Sequence, residues 1–303
     1  MTTRALVIAI ALVTTAAAAP QQPQIQNAKI EPRQTTAFER DVAALTASAT
    51  DPVWIAWREP IIDGEHNLCC TYSSDDGWMN GAVLIRGCAI DPVTPGAGTR
   101  RPDIAPPTGP VKLEGGTGLV LLVRAIDHHV ERLRSLSDDC PMDAGGRTVY
   151  WFDHVPAKDS VTYLQSLMHV ADGTRASLTS LTNSAISAIA WHRDPVATDV
   201  LLPLAHAPND TQVRTQVLRA LGRRADPRIV LELMTAIAQD PDADIRSAAL
   251  DGLARLPSDD SVPRLIDLVK TTKDAAVRKR AMTLLGQAND PRAIAFFQEI
   301  LKK

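Results

Sequence analysis

Two spacings of apolar residues divide the chain. Between positions 53 and 152 they come in short β-branched and aromatic runs separated by turn-forming clusters, which predicts strands near 53–57, 66–72, 82–90, 118–126, 130–136 and 148–152. Ser73 to Gly77 supplies one turn, and Asp127-His128-His129 joins the fourth and fifth runs into a hairpin. The stretch 91–110, DPVTPGAGTRRPDIAPPTGP, holds too much Pro and Gly for either regular structure and reads as a surface loop. One short helix fits 38–50, stopped by Asp51-Pro52. After Pro156 the spacing changes to that of helices. Val161, Leu164, Leu167 and Met168 share one helical face; Leu178, Leu181, Ile186, Ile189 and Ala190 share the next.

Among these helices a single phrase recurs. Val213-Arg214, Ile245-Arg246 and Val277-Arg278 stand 32 residues apart, each Arg four residues after Asp210, Asp242 or Asp274. Leu221-Gly222, Leu253-Ala254 and Leu285-Gly286 follow at the same period. A constant period of this length marks helical hairpins that bury their apolar faces on one another. Units are expected near 160–193, 194–225, 226–258 and 259–289, with a last helix over 290–303. The first is degenerate, because the positions matching Asp210 and Arg214 hold Leu178 and Thr182. Asp194-Pro195, Asp226-Pro227, Asp259 and Asp290-Pro291 read as helix starts, an Asp cap with Pro in the first turn. The Asp and Arg signature reads as a structural ladder, with Asp210, Asp242 and Asp274 capping second helices and Arg214, Arg246 and Arg278 pairing along the stack.

The pattern DPxV…L…DxxVRxxxxxxLG, clearest at 194–223, 226–255 and 259–286, resembles the short HEAT-like repeats of the phycobilin-lyase type. The resemblance covers about the C-terminal half. It implies an α-solenoid that binds other proteins, and some members of the family attach bilins to cysteines. No residue here matches a lyase site, and the N-terminal β-domain is left unassigned to a family. The expected fold is α+β: a small, mostly antiparallel β-domain over 38–157, then a helical solenoid over 158–303.

Residues 1–19 read as a signal peptide, with Arg4, an apolar stretch from Ala5 to Val13, and Ala16 to Ala19 for the peptidase. The apolar run is short for a membrane span, so no stable insertion is expected after cleavage. Residues 20–37, polar and proline-bearing, read as a flexible leader. An exported, periplasmic or secreted chain favours disulfides, and its four cysteines, Cys69, Cys70, Cys88 and Cys140, lie before the repeats. Adjacent Cys69 and Cys70 point to opposite faces of a strand, so each is expected to reach a different partner, Cys88 across a hairpin for one and Cys140 for the other.

Little in the chain carries chemistry. The formal charge of −3 gives no global attraction for nucleic acid. His128-His129 has no third ligand at metal spacing. Asp153-His154 with Cys140 would suggest a nucleophile pair, which an oxidised Cys140 precludes. Asp138 to Gly146 lacks the alternation of a calcium loop, Gly115 to Gly118 lacks the Lys of a phosphate loop, and neither GxSxG nor HExxH occurs. No cofactor, metal or catalytic residue is expected. The candidate contact surface is the exposed face of the second helices: Gln212, Gln216 and Arg219; Asp244 and Asp251; Arg280 and Thr283. Their mixed charge fits a protein partner better than nucleic acid. The reading is therefore a non-enzymatic docking scaffold, with an enzyme, lyase-like or using Asp153 and His154, as the alternative.

Overall fold

The computed structural model describes residues 25–64, 68–73, 84–91, 116–169, 175–206 and 210–302. The signal segment, most of the 91–110 loop and part of the strand expected at 66–72 lie outside them. The β region contains β1 (Ile25–Gln26), β2 (Lys29–Arg33), β3 (Val53–Pro60), β4 (Thr71–Ser73), β5 (Leu84–Arg86), β6 (Cys88–Ala89), β7 (Gly118–Ile126), β8 (His129–Ser137), β9 (Met142–Asp143) and β10 (Thr148–Phe152), with α1 (Phe38–Ser48) between β2 and β3. A five-stranded sheet runs β2-β10-β3-β7-β8; a small parallel sheet runs β1-β9-β6; β4 and β5 form a hairpin.

β7, LVLLV at its centre, is apolar without alternation because both of its faces are covered. Leu119, Leu121, Val123, Ile55 and Trp57 face the helices. Val120, Leu122, Trp54, Ala56, Val149 and Trp151 face Cys88, Ile90, Cys140 and Met142 on the other side. Two disulfides, Cys69–Cys140 and Cys70–Cys88, tie down that second layer, with the pairing expected from the opposed directions of the adjacent cysteines. The β7–β8 connection is a two-residue turn, Asp127-His128, both at positive φ, as the right-handed twist of a tight hairpin requires.

Two features differ from the sequence reading. Residues 25–33 form strands instead of a leader: β1 pairs with β9, and β2 lies along β10 from Lys29 to Arg33. Their polar composition misleads because β2 is an edge strand, which needs backbone pairing and little apolar surface. The sheet is also mixed. β3, β7 and β8 are antiparallel, whereas β10 inserts between β2 and β3 parallel to both. That insertion is a non-local event which alternation cannot report.

The helices are α2 (Ala157–Ser166), α3 (Arg175–Trp191), α4 (Val196–Leu204), α5 (Thr211–Leu221), α6 (Pro227–Gln239), α7 (Ala243–Arg255), α8 (Ser258–Thr271), α9 (Ala275–Gln287) and α10 (Pro291–Leu301). They pair as α2/α3, α4/α5, α6/α7 and α8/α9, and α10 begins a further unit. Asp226 and Asp290 cap α6 and α10, accepting from the amides of Arg228 and Arg292 at 2.9 and 2.8 Å. Asp194 accepts from Val196 N at 2.9 Å at the start of α4. α8 is the exception. It begins after Pro257, so Asp259 sits in its first turn and does not cap.

The second helices α3, α5, α7 and α9 pack on one another in series, while α4, α6 and α8 touch sparingly, so the stack curves with the second helices inside. Glycine permits the closest approach: a Cβ on Gly252 would lie 2.3 Å from Leu218 O, and one on Gly222 2.0 Å from Gly252 O. One apolar core runs without interruption from Phe38 and Trp57 through Leu164, Ile186 and Leu218 to Leu285 and Phe296. The sheet therefore serves as the first layer of the stack.

Candidate functional site

Asp210, Asp242 and Asp274 cap α5, α7 and α9, accepting from Val213 N, Asp244 N and Ala276 N at 2.8–2.9 Å. The arginines do more than pair with these caps. Arg214 donates to Ala205 O, Arg246 to Asp240 O and Pro241 O, and Arg278 to Thr272 O, in each case a carbonyl at or just beyond the end of the preceding helix. Each arginine thus closes its own hairpin by satisfying carbonyls the helix leaves open. Along the stack, Arg246 meets the next unit's Asp274 at 3.3 Å, and Arg214 pairs with Asp240 instead of Asp242. Between successive caps, the expected ladder is present at the Arg246–Asp274 rung alone.

The inner face has a second, lateral ladder. Asp251 on α7 receives Arg219 of α5 at 3.2 Å and Arg280 of α9 at 2.5 Å, so three of the expected contact residues bind each other across three helices. Gln212, Asp244 and Thr283 are exposed, Gln216 is half-buried, and Thr283 donates to Lys279 O. Beside the Asp251 triad lies a cleft of about 340 Å³ between α7, α8 and α9, with Ala254, Leu265 and Leu284 inside it and Arg255, Arg280 and Gln287 on its rim. Arg255 donates to Arg219 O at 3.0 Å, and Arg223 lies over the Trp191 ring at 5.1 Å. The contact residues chosen from sequence omit Arg223 and Arg255. Their signal was present, since Arg223, Arg255 and Gln287 form another row at the 32-residue period.

Residues 181–250 and 230–303 match the family described as HEAT repeats. Residues 181–303 are HEAT repeats. A solved structure, the complex of CpcE and CpcF of phycocyanin lyase from Nostoc sp. PCC7120, is similar at 23% identity over 44% of this chain and 91% of that one, with a TM-score of 0.29. No curated protein matches the chain.

Where the HEAT array meets the sheet, a buried polar cluster forms. β3 carries Ile55, Trp57 and Glu59 on the face toward the helices, so the strand's own alternation drives a carboxyl group into the core. Trp57 Nε1 donates to Ser160 Oγ on α2 at 2.7 Å; Ser160 Oγ lies 3.2 Å from His192 Nε2 at the end of α3; a further hydrogen bond joins Glu59 to Ser160. Burial pushes Glu59 up to about 8 and pulls His192 down to about 4, the latter helped by the Arg224 charge. Arg224, itself buried, donates to Ala190 O, His192 O, Asp194 O and Thr198 Oγ1, and so locks α3 to α4. A cavity of about 250 Å³ lined by Glu59, Pro60, Ala157, His192, Arg193, Asp194 and Pro195 adjoins this cluster.

Ser, His and Glu together evoke a catalytic triad, but the wiring differs. In a triad the acid orients the imidazole through its far nitrogen. Here Glu59 bonds the serine, His192 Nδ1 has no hydrogen-bond partner among the described residues, and Ser160, fully buried, already takes the Trp57 indole hydrogen. The arrangement fixes strand to helix. Of the other sequence candidates, Asp153 accepts from Trp151 Nε1 at 2.9 Å, His154 is exposed in a turn, and Cys140 is oxidised. His128 Nδ1 lies 2.7 Å from Ala47 O, Asp138 pairs with Arg58, and Asp143 accepts from Asn27 and Gly145. Among the described residues, the one cluster with metal-ligand proximity is Cys69, Cys88 and Cys140, whose sulfurs are spent in the two disulfides.

Proposed function

We propose that this chain is an exported, non-catalytic scaffold whose HEAT repeats dock a protein partner on the inner face of the second helices. The observation that carries the reading is the Arg219–Asp251–Arg280 triad beside an open cleft. It rigidifies a polar surface spanning three repeats while Gln212, Gln216 and Asp244 stay free to contact another molecule. The signal-like segment and the two disulfides support export. No helix of the described residues is long and apolar enough to cross a membrane. Nucleic acid is the poorer ligand, because Asp244 and Asp251 interrupt the positive charge and the cleft offers no aromatic side chain for stacking.

The test is cross-linking of the full chain in the envelope fraction of its own host, followed by mass spectrometry. A stoichiometric protein adduct that disappears when Gln212→Ala and Gln216→Arg are combined supports docking on this face. An adduct insensitive to the pair refutes it. Point substitutions are preferable to truncation because the array and the sheet share a core.

A further inference from the structure

The inner face sets four arginines, Arg219, Arg223, Arg255 and Arg280, against two carboxylates, Asp244 and Asp251. Asp251 is occupied twice, by Arg219 and Arg280. Arg223 and Arg255, at the C-terminal ends of α5 and α7, have no ion-pair partner among the described residues; one lies over the indole of Trp191, the other on a main-chain carbonyl. Helix C-termini offer such side chains a partial negative charge only. Burial, and after it the charge of Arg255, weakens the hold of Arg223 on its proton. Placed one repeat apart, with Arg255 on the wall of the cleft, they form a fork that a carboxylate would close.

We propose that the partner's docking segment is an acidic stretch of polypeptide, one of whose carboxylates sits between Arg223 and Arg255 while a neighbouring side chain enters the cleft between α7, α8 and α9. The proposal rests on the docking reading above and specifies its chemistry. A chain carrying a formal charge of −3 overall would then meet an acidic partner through this one local patch, so binding would be salt-sensitive. The cleft of about 340 Å³ has room for side chains of a segment and not for a folded domain, which favours an extended segment.

The probe is fluorescein-labelled hexaglutamate, titrated by fluorescence anisotropy against the full chain, with a twelve-residue oligothymidylate and hexalysine as comparisons. Hexaglutamate should bind, weaken on raising NaCl, and lose affinity about tenfold or more in Arg223→Gln/Arg255→Gln. Thermal melting checks that the variant is folded; if it is not, Arg255→Gln alone, at an exposed position with one carbonyl contact, carries the same test. Absence of binding, equal binding by the variant, or tighter binding of the oligonucleotide overturns the acidic-segment inference. The docking reading fails separately: a cross-linked partner that persists in Arg223→Gln/Arg255→Gln sinks the acidic segment and leaves docking intact.

Discussion

Glu59 shows how one residue couples strand geometry to pH. Folded, it holds its proton to about pH 8; unfolded, it would release it near 4.5. Its contribution to stability is therefore complete below pH 4.5 and is lost as pH rises toward 8. His192 runs the other way. Neutral in the fold down to about 4 and titrating near 6.5 when unfolded, it contributes above 6.5 and loses that contribution as pH falls. Between 4.5 and 6.5 the two slopes oppose each other, and from 6.5 to 8 Glu59 acts alone among this pair. Urea unfolding should lose ~2 kcal/mol across that last interval in wild type, and Glu59→Gln should flatten the loss. A wild-type stability that is level from pH 6.5 to 8 contradicts the burial argument. Arg246→Ala should cost ~1–2 kcal/mol in the same assay, since Arg246 serves two carbonyls and Asp274, and Arg278→Ala should cost less, its one contact being with Thr272 O. Equal losses would contradict the hairpin-closing role. Both residues were visible in the sequence, Arg246 as a repeat position and Glu59 as the charged end of VWIAWRE. The role of Glu59 was not, because its burial depends on α2 and α3, which close over it from 100 or more residues away.

The repeats test their own logic at the level of helices. Gly252 and Gly286 both lie inside second helices, α7 and α9, yet their surroundings differ. A Cβ at 252 meets Leu218 O and the Leu233 side chain, whereas nothing lies within 4 Å of one at 286. Gly252→Ala should therefore destabilise by more than ~2 kcal/mol through backbone displacement, and Gly286→Ala should stabilise by ~0.5–1 kcal/mol through helix propensity alone. Thermal melts of the two variants moving in the same direction would show that α5 and α7 do not approach as described. The repeat helices were the legible elements, since their signals recur at 32 residues and Asp caps announce them; of the four starts read from Asp194, Asp226, Asp259 and Asp290, α8 alone differs, beginning after Pro257. Strands were legible where they alternate or end in a two-residue turn, as β7 and β8 do. β1 and β2 were not, because an edge strand such as Lys29–Arg33 is defined by its neighbour β10 and not by its own side chains.

Across the whole molecule, sheet and array form one body with a covalently fastened outer layer. Loops closed by the two disulfides span 71 and 18 residues, worth roughly 4 and 3 kcal/mol of unfolded-state entropy. Replacing Cys69 and Cys140 by Ser should lower the melting temperature more than replacing Cys70 and Cys88, with melting still a single transition because the one sheet walls both the disulfide layer and the core that runs into the helices. A separate early transition for the β region would deny that continuity. The inner face is where the account of function is exposed to failure. Its most direct test places a photo-cross-linking amino acid at Gln216, on that face, or at Leu231, 70% exposed on the first helix α6, in the chain expressed in its own host. The account predicts a protein adduct of one defined mass from position 216 and none from 231; adducts from 231 alone, from both equally, or from neither would contradict it.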